Sequence, residues 1–308
     1  MTLGPQHSSS PNPAVPVHAS GTFTIAGTLP VHRLGFGAMR ITGPGVWGEP
    51  GDVGQARGVL REAVRLGVDF IDTAQAYGPE VSERLIADAL HPYPAGLVIA
   101  TKGGVVRRDR DDLGRPDGRP QRLRADCEGS LTRLRLNTID LWQLHRIDPN
   151  IALEDQIGTV RELQDEGKIR HFGLSQVNLE QLQQVRALIG VATVQNLFNY
   201  ADRTSDDVLA VCQADGIGFI PWYPLATGEL ARPGSPLAHA AQRHGVTTPQ
   251  IALAWLLHRS PAMIPIPGTS SIAHLRENAN AALIQLSADE LRALAPAAAT
   301  GTLDDRRH

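Results

Sequence analysis

Short apolar runs alternate with longer segments of helical spacing along the chain, and this order repeats without a break in composition. The first run, residues 34–38, precedes a helix pattern at 57–66, which Gly67 ends before the next run reaches Asp72. Further strands are predicted at residues 97–101, 139–144, 169–174, 192–195, 216–221 and 263–267. Between them, helices are predicted near residues 80–90, 121–136, 153–167, 178–189, 205–214 and 248–259.

About eight strand–helix units result, the number that closes a parallel barrel. Ahead of them, residues 21–34 have the pattern of a small hairpin. We therefore predict an α/β fold, a (β/α)8 TIM barrel with an N-terminal β-hairpin and C-terminal helices, as a single domain over residues 21–308. Residues 1–20 contain no Lys, Arg, Asp or Glu and are rich in Pro and Ser, which predicts a disordered tail and not a signal peptide.

Polar, ionisable side chains follow three consecutive predicted strands. Asp72 and Tyr77 come after the second strand, Lys102 after the third and His145 after the fourth. Each has an ordinary structural explanation, such as a cap, a packed ring or a core histidine. Because the carboxyl ends of parallel strands meet at one rim, where barrel enzymes keep their sites, their joint placement predicts a catalytic group.

This quartet is suited to protonating a carbonyl oxygen while hydride arrives at the carbonyl carbon. A phenol has a usual pKa of about 10, and the ammonium of Lys102 should lower the pKa of Tyr77 while Asp72 holds the lysine charged and in position. His145 can donate a hydrogen bond to the same substrate oxygen.

Composition narrows the class of partner. The 308 residues are 42% hydrophobic, with a formal net charge of −3, which argues against a general nucleic-acid binder. No apolar stretch approaches the length that spans a bilayer, so no membrane association is expected. The two cysteines, Cys127 and Cys212, offer neither a disulfide framework nor a metal cluster, so we expect a reducing, cytoplasmic location and no metal.

Two loops after strand ends are longer than a minimal connection, residues 41–54 and 103–120. The second can be a solvated charge run, but Trp47 in the first could line a pocket mouth. Residues 43–48 also match the glycine spacing of dinucleotide-binding folds. The match is weak, because Pro44, Trp47 and Pro50 crowd a loop that should turn directly into a helix.

Several motifs together resemble the aldo-keto reductase superfamily, over nearly the whole chain after the tail. They are Asp72-Thr73-Ala74-x-x-Tyr77, Thr101-Lys102, Gln143-Leu144-His145, the first-strand segment 35–40, residues 167–175, Val194-Gln195-Asn196 and residues 266–271. The resemblance implies that Tyr77 is the general acid, that Lys102 and Asp72 tune it, and that His145 orients the carbonyl.

The resemblance also implies a nicotinamide cofactor bound across the rim without a Rossmann loop. The nicotinamide ring would stack on Trp222, and its carboxamide would contact Ser175, Gln176 and Gln195. The remaining contacts would come from Gly37, Met39, Arg40 and Asp72 near the first strands, from Leu225, Gly228 and Leu230 under the pyrophosphate, and from Gly268, Thr269, Ser270, His274, Glu277 and Asn278 at the adenosine half.

Two positions depart from the family pattern. Gln176 stands where an asparagine is usual, on a longer arm. Gly268 and His274 stand where many members have a lysine and an arginine that clamp the 2′-phosphate of NADPH. Thr269, Ser270 and Arg276 remain candidates for that phosphate, so we expect NADPH ahead of NADH.

For the substrate, the chain resembles bacterial members that include pyridoxal reductases, which reduce an aromatic aldehyde. The loop 43–48 would then form a substrate wall, and Trp47 and Tyr223 could stack on a flat substrate beside Tyr77 and His145. The resemblance thus implies an NAD(P)H-dependent reductase of small-molecule aldehydes or ketones, acting as a monomer or a homo-oligomer. Two alternatives stay open: a ketone or imine reductase of a specialised pathway, and a non-catalytic cofactor-binding partner like the potassium-channel β subunits.

Overall fold

A computed structural model of the protein describes residues 15–226 and 234–294. Seven parallel strands form the central sheet: β3 (Phe36–Gly37), β4 (Phe70–Asp72), β5 (Val98–Gly103), β8 (Ile139–Leu144), β9 (Ile169–Ser175), β10 (Thr193–Leu197) and β11 (Gly218–Trp222), in the order β11-β10-β9-β8-β5-β4-β3. Two antiparallel pairs lie outside it: β1 (Thr22–Ile25) with β2 (Leu29–His32), and β6 (Val105–Val106) with β7 (Arg115–Pro116).

Helices connect these strands. They are α1 (Val53–Arg65), α2 (Val81–Leu90), α3 (Pro120–Leu134), α4 (Leu153–Asp165), α5 (Leu179–Arg186), α6 (Asp206–Asp215), α7 (Pro236–His244), α8 (Thr248–Arg259), α9 (Ile272–Asn280) and α10 (Ala288–Ala293). In α1, for example, Asp52 caps the first turn by accepting from the Gln55 amide, and Ala56, Val59, Leu60 and Ala63 form the buried stripe. No helix in the described ranges is long and apolar enough to cross a membrane.

The segment 263–267 closes the sheet into a barrel. The Ile264 amide donates to the Phe219 carbonyl of β11 at 2.8 Å, and the Gly35 amide donates to the Pro265 carbonyl at 2.9 Å. We predicted a full strand here, but only Met263 forms a bridge, to Phe219. Pro265 and Pro267 lack the N–H groups that a ladder requires. The predicted (β/α)8 barrel with its hairpin and C-terminal helices is confirmed, and the segment 263–267 takes the place of the eighth strand.

The hairpin β1–β2 covers the amino-terminal end of the barrel. Its buried residues Ile25, Leu29 and Val31 belong to one apolar cluster with Phe70 and Val98, which begin β4 and β5. Part of the predicted tail is also ordered: Pro16–Ser20 form a 3-10 helix in which Val17 is fully buried. Burial of the Val17 side chain stabilises this segment, although the residues around it have the composition of a disordered tail. Residues 1–14 lie outside the described range, and a disordered tail there stays a prediction.

The carboxyl-terminal end of the barrel is covered by the two long loops that the sequence indicated. Val46 of the first loop lies against the second, where Arg107 donates to the Val46 carbonyl at 2.6 Å and to the Gly45 carbonyl at 2.9 Å. The Arg107 guanidinium also lies 5.5 Å from the Trp47 ring centroid, within cation–π range. These contacts hold the two loops together above the strand ends.

Candidate active site

Lys102 contacts two of the other three predicted catalytic residues, Asp72 and Tyr77. Its Nζ donates to Asp72 Oδ1 at 2.6 Å, to the Thr73 carbonyl at 2.8 Å and to the Tyr77 hydroxyl at 3.2 Å. The Tyr77 and His145 rings meet edge to face, with centroids 6.0 Å apart. The structure therefore brings all four together at one rim, as the strand-end pattern predicted.

The turn after β4 carries Tyr77 to Lys102. The Thr73 amide donates to the Ala100 carbonyl and the Gln75 amide to the Lys102 carbonyl, so this turn stays attached to β5. Gly78 follows the tyrosine at φ +96°, and a Cβ there would lie 2.4 Å from the Val81 Cβ. Glycine at this position lets the chain reverse immediately behind the phenol.

Asp72 is held by more groups than the sequence suggested. Gln143 Nε2 and Gln195 Nε2 both donate to its Oδ2, at 3.0 and 2.8 Å. Together with Lys102 on Oδ1, these amides satisfy a carboxylate that is 1% exposed. We expected Gln195 at the cofactor and assigned Gln143 no role. Its inward position on β8, two residues before His145, was the available signal.

Burial is the main influence on the ionisation of the site. It raises the pKa of Tyr77, and the nearby charge of Lys102 only partly opposes this. For Lys102, burial would lower the pKa, but Asp72 and Tyr77 together raise it. The phenol is thus protonated and the amine charged near neutrality. We had expected a lowered tyrosine pKa, and the loss of hydration around the phenol accounts for the difference.

His145 is neutral at physiological pH. Burial lowers its pKa well below the usual value, and the charges of Lys102 and Arg146 lower it further. Its Nδ1 is buried without a hydrogen-bond partner among the described residues. A neutral imidazole can donate one hydrogen bond to a substrate oxygen but does not carry the proton that is transferred.

A cavity of about 790 Å³ opens from this group across the rim. The predicted site residues that line it are Gly37, Met39, Arg40, Asp72, Tyr77, His145, Ser175, Gln195, Trp222, Tyr223, Leu225, Gly268, Thr269, Ser270 and His274. Lys102 lies just behind the lining, in contact with Tyr77. Gly228 and Leu230 lie outside the described residues. Its lining runs from Tyr77, on the turn after β4, to His274 in the first turn of α9.

Besides Lys102, four predicted site residues in the described ranges do not line this cavity. Gln176 sits at φ +57°, and its amide oxygen accepts from the Trp222 indole N–H at 2.7 Å and from the Leu197 amide at 3.2 Å. Trp47 packs on Arg107. Glu277 and Asn278 lie beyond the first turn of α9. Gln176 therefore holds the edge of Trp222, an arrangement that the longer side chain makes possible.

The far end of the cavity contains the donors suited to a phosphate. Thr269, Ser270 and His274 line it at the start of α9, where Ser271 caps the helix by accepting from the His274 amide. Arg276 does not line the cavity, and its Nε donates to Glu62 at 2.7 Å. This pairing with an acid that is distant in the sequence occupies the arginine that we considered for the 2′-phosphate.

Gly45 and Val46 line the cavity and belong to the loop 43–48 that we expected as a substrate wall. Lining residues that were not anticipated from the sequence include Val105, Arg107, Leu113 and Arg146. The first three belong to the second long loop, whose length was the signal. Arg146 had a further signal, since it directly follows His145 at the end of β8. No group of three or more His, Cys, Asp or Glu residues that could hold a metal ion occurs in residues 15–226 and 234–294.

Comparison with known proteins agrees with this geometry. The chain matches the Aldo/keto reductase family over residues 33–298. It is 48% identical to an uncharacterized oxidoreductase of Schizosaccharomyces pombe, covering 90% of this chain and 89% of that protein. It is 40% identical to pyridoxine 4-dehydrogenase of Escherichia coli, covering 90% and 98% of the two chains.

Solved structures show the same fold. An aldo-keto reductase from Klebsiella pneumoniae in complex with NADPH superposes with a TM-score of 0.77 at 27% identity, covering 92% of this chain and 98% of that one. Both the matched family and the arrangement of Asp72, Tyr77, Lys102 and His145 lead to one assignment: the chain belongs to the aldo/keto reductase family and is an oxidoreductase.

Proposed function

We propose that the protein reduces an aldehyde or ketone to an alcohol with NADPH as the hydride donor. The observation that carries this proposal is the position of Lys102, whose Nζ contacts both Asp72 and the Tyr77 hydroxyl at the end of a long cavity. A protonated phenol beside a fixed cation is suited to giving its proton to an oxygen that becomes negative.

Tyr77 donates its proton to the carbonyl oxygen. The imidazole of His145, which lies edge to face with the Tyr77 ring, donates a hydrogen bond to the same oxygen. When bound beside Trp222, a reduced nicotinamide would be the source of the hydride for the carbonyl carbon. Lys102 stabilises the phenolate that remains until a proton from solvent replaces the one transferred. Asp72, fixed by Gln143 and Gln195, keeps Lys102 charged and aimed at the phenol.

The donors along the cavity fit an extended dinucleotide. Trp222, Ser175 and Gln195 lie at the catalytic end, and Thr269, Ser270 and His274 at the start of α9 offer hydroxyl, imidazole and amide donors for phosphates. Gln176 would contribute through Trp222. The NADPH bound to the Klebsiella pneumoniae relative supports the same cofactor here. We propose NADPH ahead of NADH, with Glu277, Asn278, Gly228 and Leu230 as further expected contacts.

Pyridoxal is our leading candidate substrate. The Escherichia coli relative is named for acting on pyridoxine, the alcohol that pyridoxal reduction yields, and it matches this chain at 40% identity. Tyr223 and the Val46 loop line the mouth of the cavity, where they could contact a flat ring. The proposal includes a cytoplasmic location, since Cys127 and Cys212 are unpaired and buried. It also includes a small-molecule carbonyl substrate as partner, with the protein acting as a monomer or a homo-oligomer.

Tyr77→Phe tests the proposal. Purified wild-type protein should oxidise NADPH with pyridoxal or simple aldehydes, and the variant should lose about 10²-fold to 10⁴-fold in rate because the proton donor is gone. Cofactor binding, measured by fluorescence titration, should stay the same. Tyr93→Phe is the matched control, because its hydroxyl donates to the Leu134 carbonyl at 2.7 Å, away from the cavity.

Unchanged turnover in Tyr77→Phe would exclude this tyrosine as the acid. A wild-type protein that binds NADPH but reduces no aldehyde, ketone or imine would favour a cofactor-binding partner protein. Turnover restricted to imines or particular ketones would favour a specialised pathway.

A further inference from the structure

Arg146 is a positive charge in the cavity that forms no ion pair with an acidic side chain of residues 15–226 and 234–294. It directly follows His145 and lines the cavity at the catalytic end. One terminal nitrogen donates to the His145 carbonyl at 2.6 Å and to the Ser175 hydroxyl at 3.3 Å. Both bonds come from the same nitrogen, and the other guanidinium donors form no hydrogen bond or ion pair with the described residues, although an arginine has five N–H groups.

The other arginines near the cavity are employed differently. The guanidinium of Arg107 donates hydrogen bonds to backbone carbonyls of the two loops, including those of Val46 and Asp112. Arg40 is exposed and lies beside Gly268, at the end proposed for the adenosine half. Of the three arginines that line the cavity, Arg146 is therefore the one at the catalytic end whose N–H donors are not all bonded to described residues.

A half-buried cation without a counter-ion is unfavourable, because part of its hydration is lost and nothing replaces it. Burial lowers the pKa of Arg146, which reports the same loss of solvent. Its guanidinium donates to the His145 carbonyl and the Ser175 hydroxyl and lines the cavity together with Tyr77 and His145, so it lies near the place proposed for the carbonyl oxygen. An anion at this point would come from the substrate, since the proposed cofactor has its pyrophosphate expected at Leu225, Gly228 and Leu230, its 2′-phosphate near α9 and only a neutral carboxamide near Ser175.

We propose that Arg146 binds an anionic oxygen carried by the carbonyl substrate, and thereby selects charged aldehydes over neutral ones. This inference rests on the proposed carbonyl reduction and adds the substrate class. The oxygen could belong to the ionised ring hydroxyl of a hydroxypyridine aldehyde such as pyridoxal, to the carboxylate of a semialdehyde, or to a phosphate ester. All three accept paired N–H donors from a guanidinium.

Matched substrate pairs test the inference. Pyridoxal is compared with pyridine-4-carbaldehyde for the ring oxygen, succinic semialdehyde with butanal for the carboxylate, and pyridoxal 5′-phosphate with pyridoxal for the phosphate. The quantity measured is the ratio of kcat/KM within each pair, for the wild type, Arg146→Met and Arg146→Lys. Arg108→Met is the control, because Arg108 is exposed on the same rim and does not line the cavity.

In each pair the ratio compares kcat/KM of the member that carries the additional anionic oxygen with that of the member without it. We expect Arg146→Met to lower this ratio by about 10-fold to 100-fold in at least one pair, the loss typical of one charge-assisted hydrogen bond. The loss should appear mainly in KM, Arg146→Lys should recover part of it, and Arg108→Met should leave it unchanged. The pair that responds identifies the source of the oxygen. An equal loss for charged and neutral substrates would overturn the inference, since Arg146 would then act only through His145 and Ser175.

A binding measurement separates this inference from the proposed reaction. Benzoate and benzamide have similar shapes and differ in charge, and neither is reduced. Calorimetry should show that the wild type with NADP⁺ binds benzoate more tightly than benzamide, and that Arg146→Met removes the difference. If no carbonyl compound is turned over but this difference is found, the proposed function fails while the anion site stands. If aldehydes are turned over but benzoate and benzamide bind equally in both proteins, the anion site fails alone.

Discussion

Asp72 is the residue on which the polar groups of the site converge. Its two oxygens accept from Lys102, Gln143 and Gln195, and none of these four side chains is more than 2% exposed. In such surroundings an ion pair is worth little compared with two apolar groups, but removing one partner leaves a buried charge without compensation. The site therefore depends on the pair as a unit.

Lys102→Met should destabilise the protein as well as inactivate it. Loss of the ammonium leaves Asp72 Oδ1 unsatisfied, and we expect a decrease of about 3–5 kcal/mol in the free energy of unfolding, measured in urea. Lys168→Met is the control, because Lys168 pairs with Glu128 and Glu166 at the surface, where solvent screens the charges, and its loss should leave the unfolding curve nearly unchanged. The double variant Asp72→Asn with Lys102→Met should recover stability without activity. Equal stability of the single and double variants would contradict this account.

The direction of the Tyr77 pKa shift predicts the pH dependence. Reduction requires the protonated phenol, and because the pKa of Tyr77 is raised, the acid stays protonated throughout the neutral range. We expect kcat/KM for reduction to be flat from about pH 6 to about pH 9 and to fall only as the phenol ionises at higher pH. Alcohol oxidation, which requires the phenolate, should rise over the same alkaline range. A reduction rate that falls tenfold per pH unit from neutrality would mean a lowered pKa.

The sequence predicted the reacting side chains better than their surroundings. Asp72, Tyr77, Lys102 and His145 were recognisable because strand ends of a parallel barrel share one rim. The roles of Gln176 and Arg276 were not, because each depends on one distant contact, with Trp222 and with Glu62 respectively. Spacing along the chain carries no information about which long side chain reaches which partner.

At the scale of elements, the two long loops act together through Arg107. This arginine bonds the Val46 and Gly45 carbonyls and packs on Trp47, while its Nε donates to the Asp112 carbonyl in its own loop. Val46 and Leu113 from the two loops line the cavity. The loops thus form one wall above the proposed carbonyl site.

Arg107→Met should loosen this wall. We expect KM for the carbonyl substrate to rise roughly 5-fold to 10-fold, since a few hydrogen bonds that order the wall are lost. KM for NADPH should not change, because the proposed cofactor contacts lie on other elements. Steady-state kinetics with each substrate varied in turn make the comparison, with Arg108→Met as control. A rise in the cofactor KM alone would mean that the loops serve the dinucleotide.

Two elements show where pattern reading stops. The segment 263–267 has the apolar pattern of a strand and closes the barrel, yet its prolines leave too few donors for a ladder. Helix α7 was not predicted, although Ser235 caps it and Gly245 ends it in the left-handed region. Its apolar stripe of Leu237, Ala240 and Ala241 is short, so the caps are a stronger signal than the periodicity.

At the scale of the molecule, structure and proposed chemistry lie at opposite ends of the barrel. The hairpin packs Ile25, Leu29 and Val31 against the amino-terminal ends of the strands, and the cavity opens at the carboxyl-terminal ends. This separation is common to barrel enzymes and lets one end change without the other.

Ile25→Ala should therefore affect stability and not kinetics. Ile25 is fully buried, and truncation should cost about 2–5 kcal/mol through lost burial and a residual cavity. Thr24→Ala, on the exposed side of the same strand, should stay within about 0.5 kcal/mol. Thermal unfolding and KM values at a temperature where both variants are folded provide the measurements. A changed KM in Ile25→Ala would show that the two ends are coupled.

The closing seam between β3 and the segment 263–267 has a consequence for how the protein would respond to a ligand. Few backbone hydrogen bonds cross this seam. The two backbones also approach closely here, since a Cβ on Gly268 would lie 2.5 Å from the Gly37 carbonyl oxygen. Gly37, Met39 and Arg40 line the cavity from one side of this seam, and Gly268, Thr269 and Ser270 from the other. A dinucleotide in contact with both sides would link them, so bound cofactor would suppress local opening at this junction and with it cleavage by proteases.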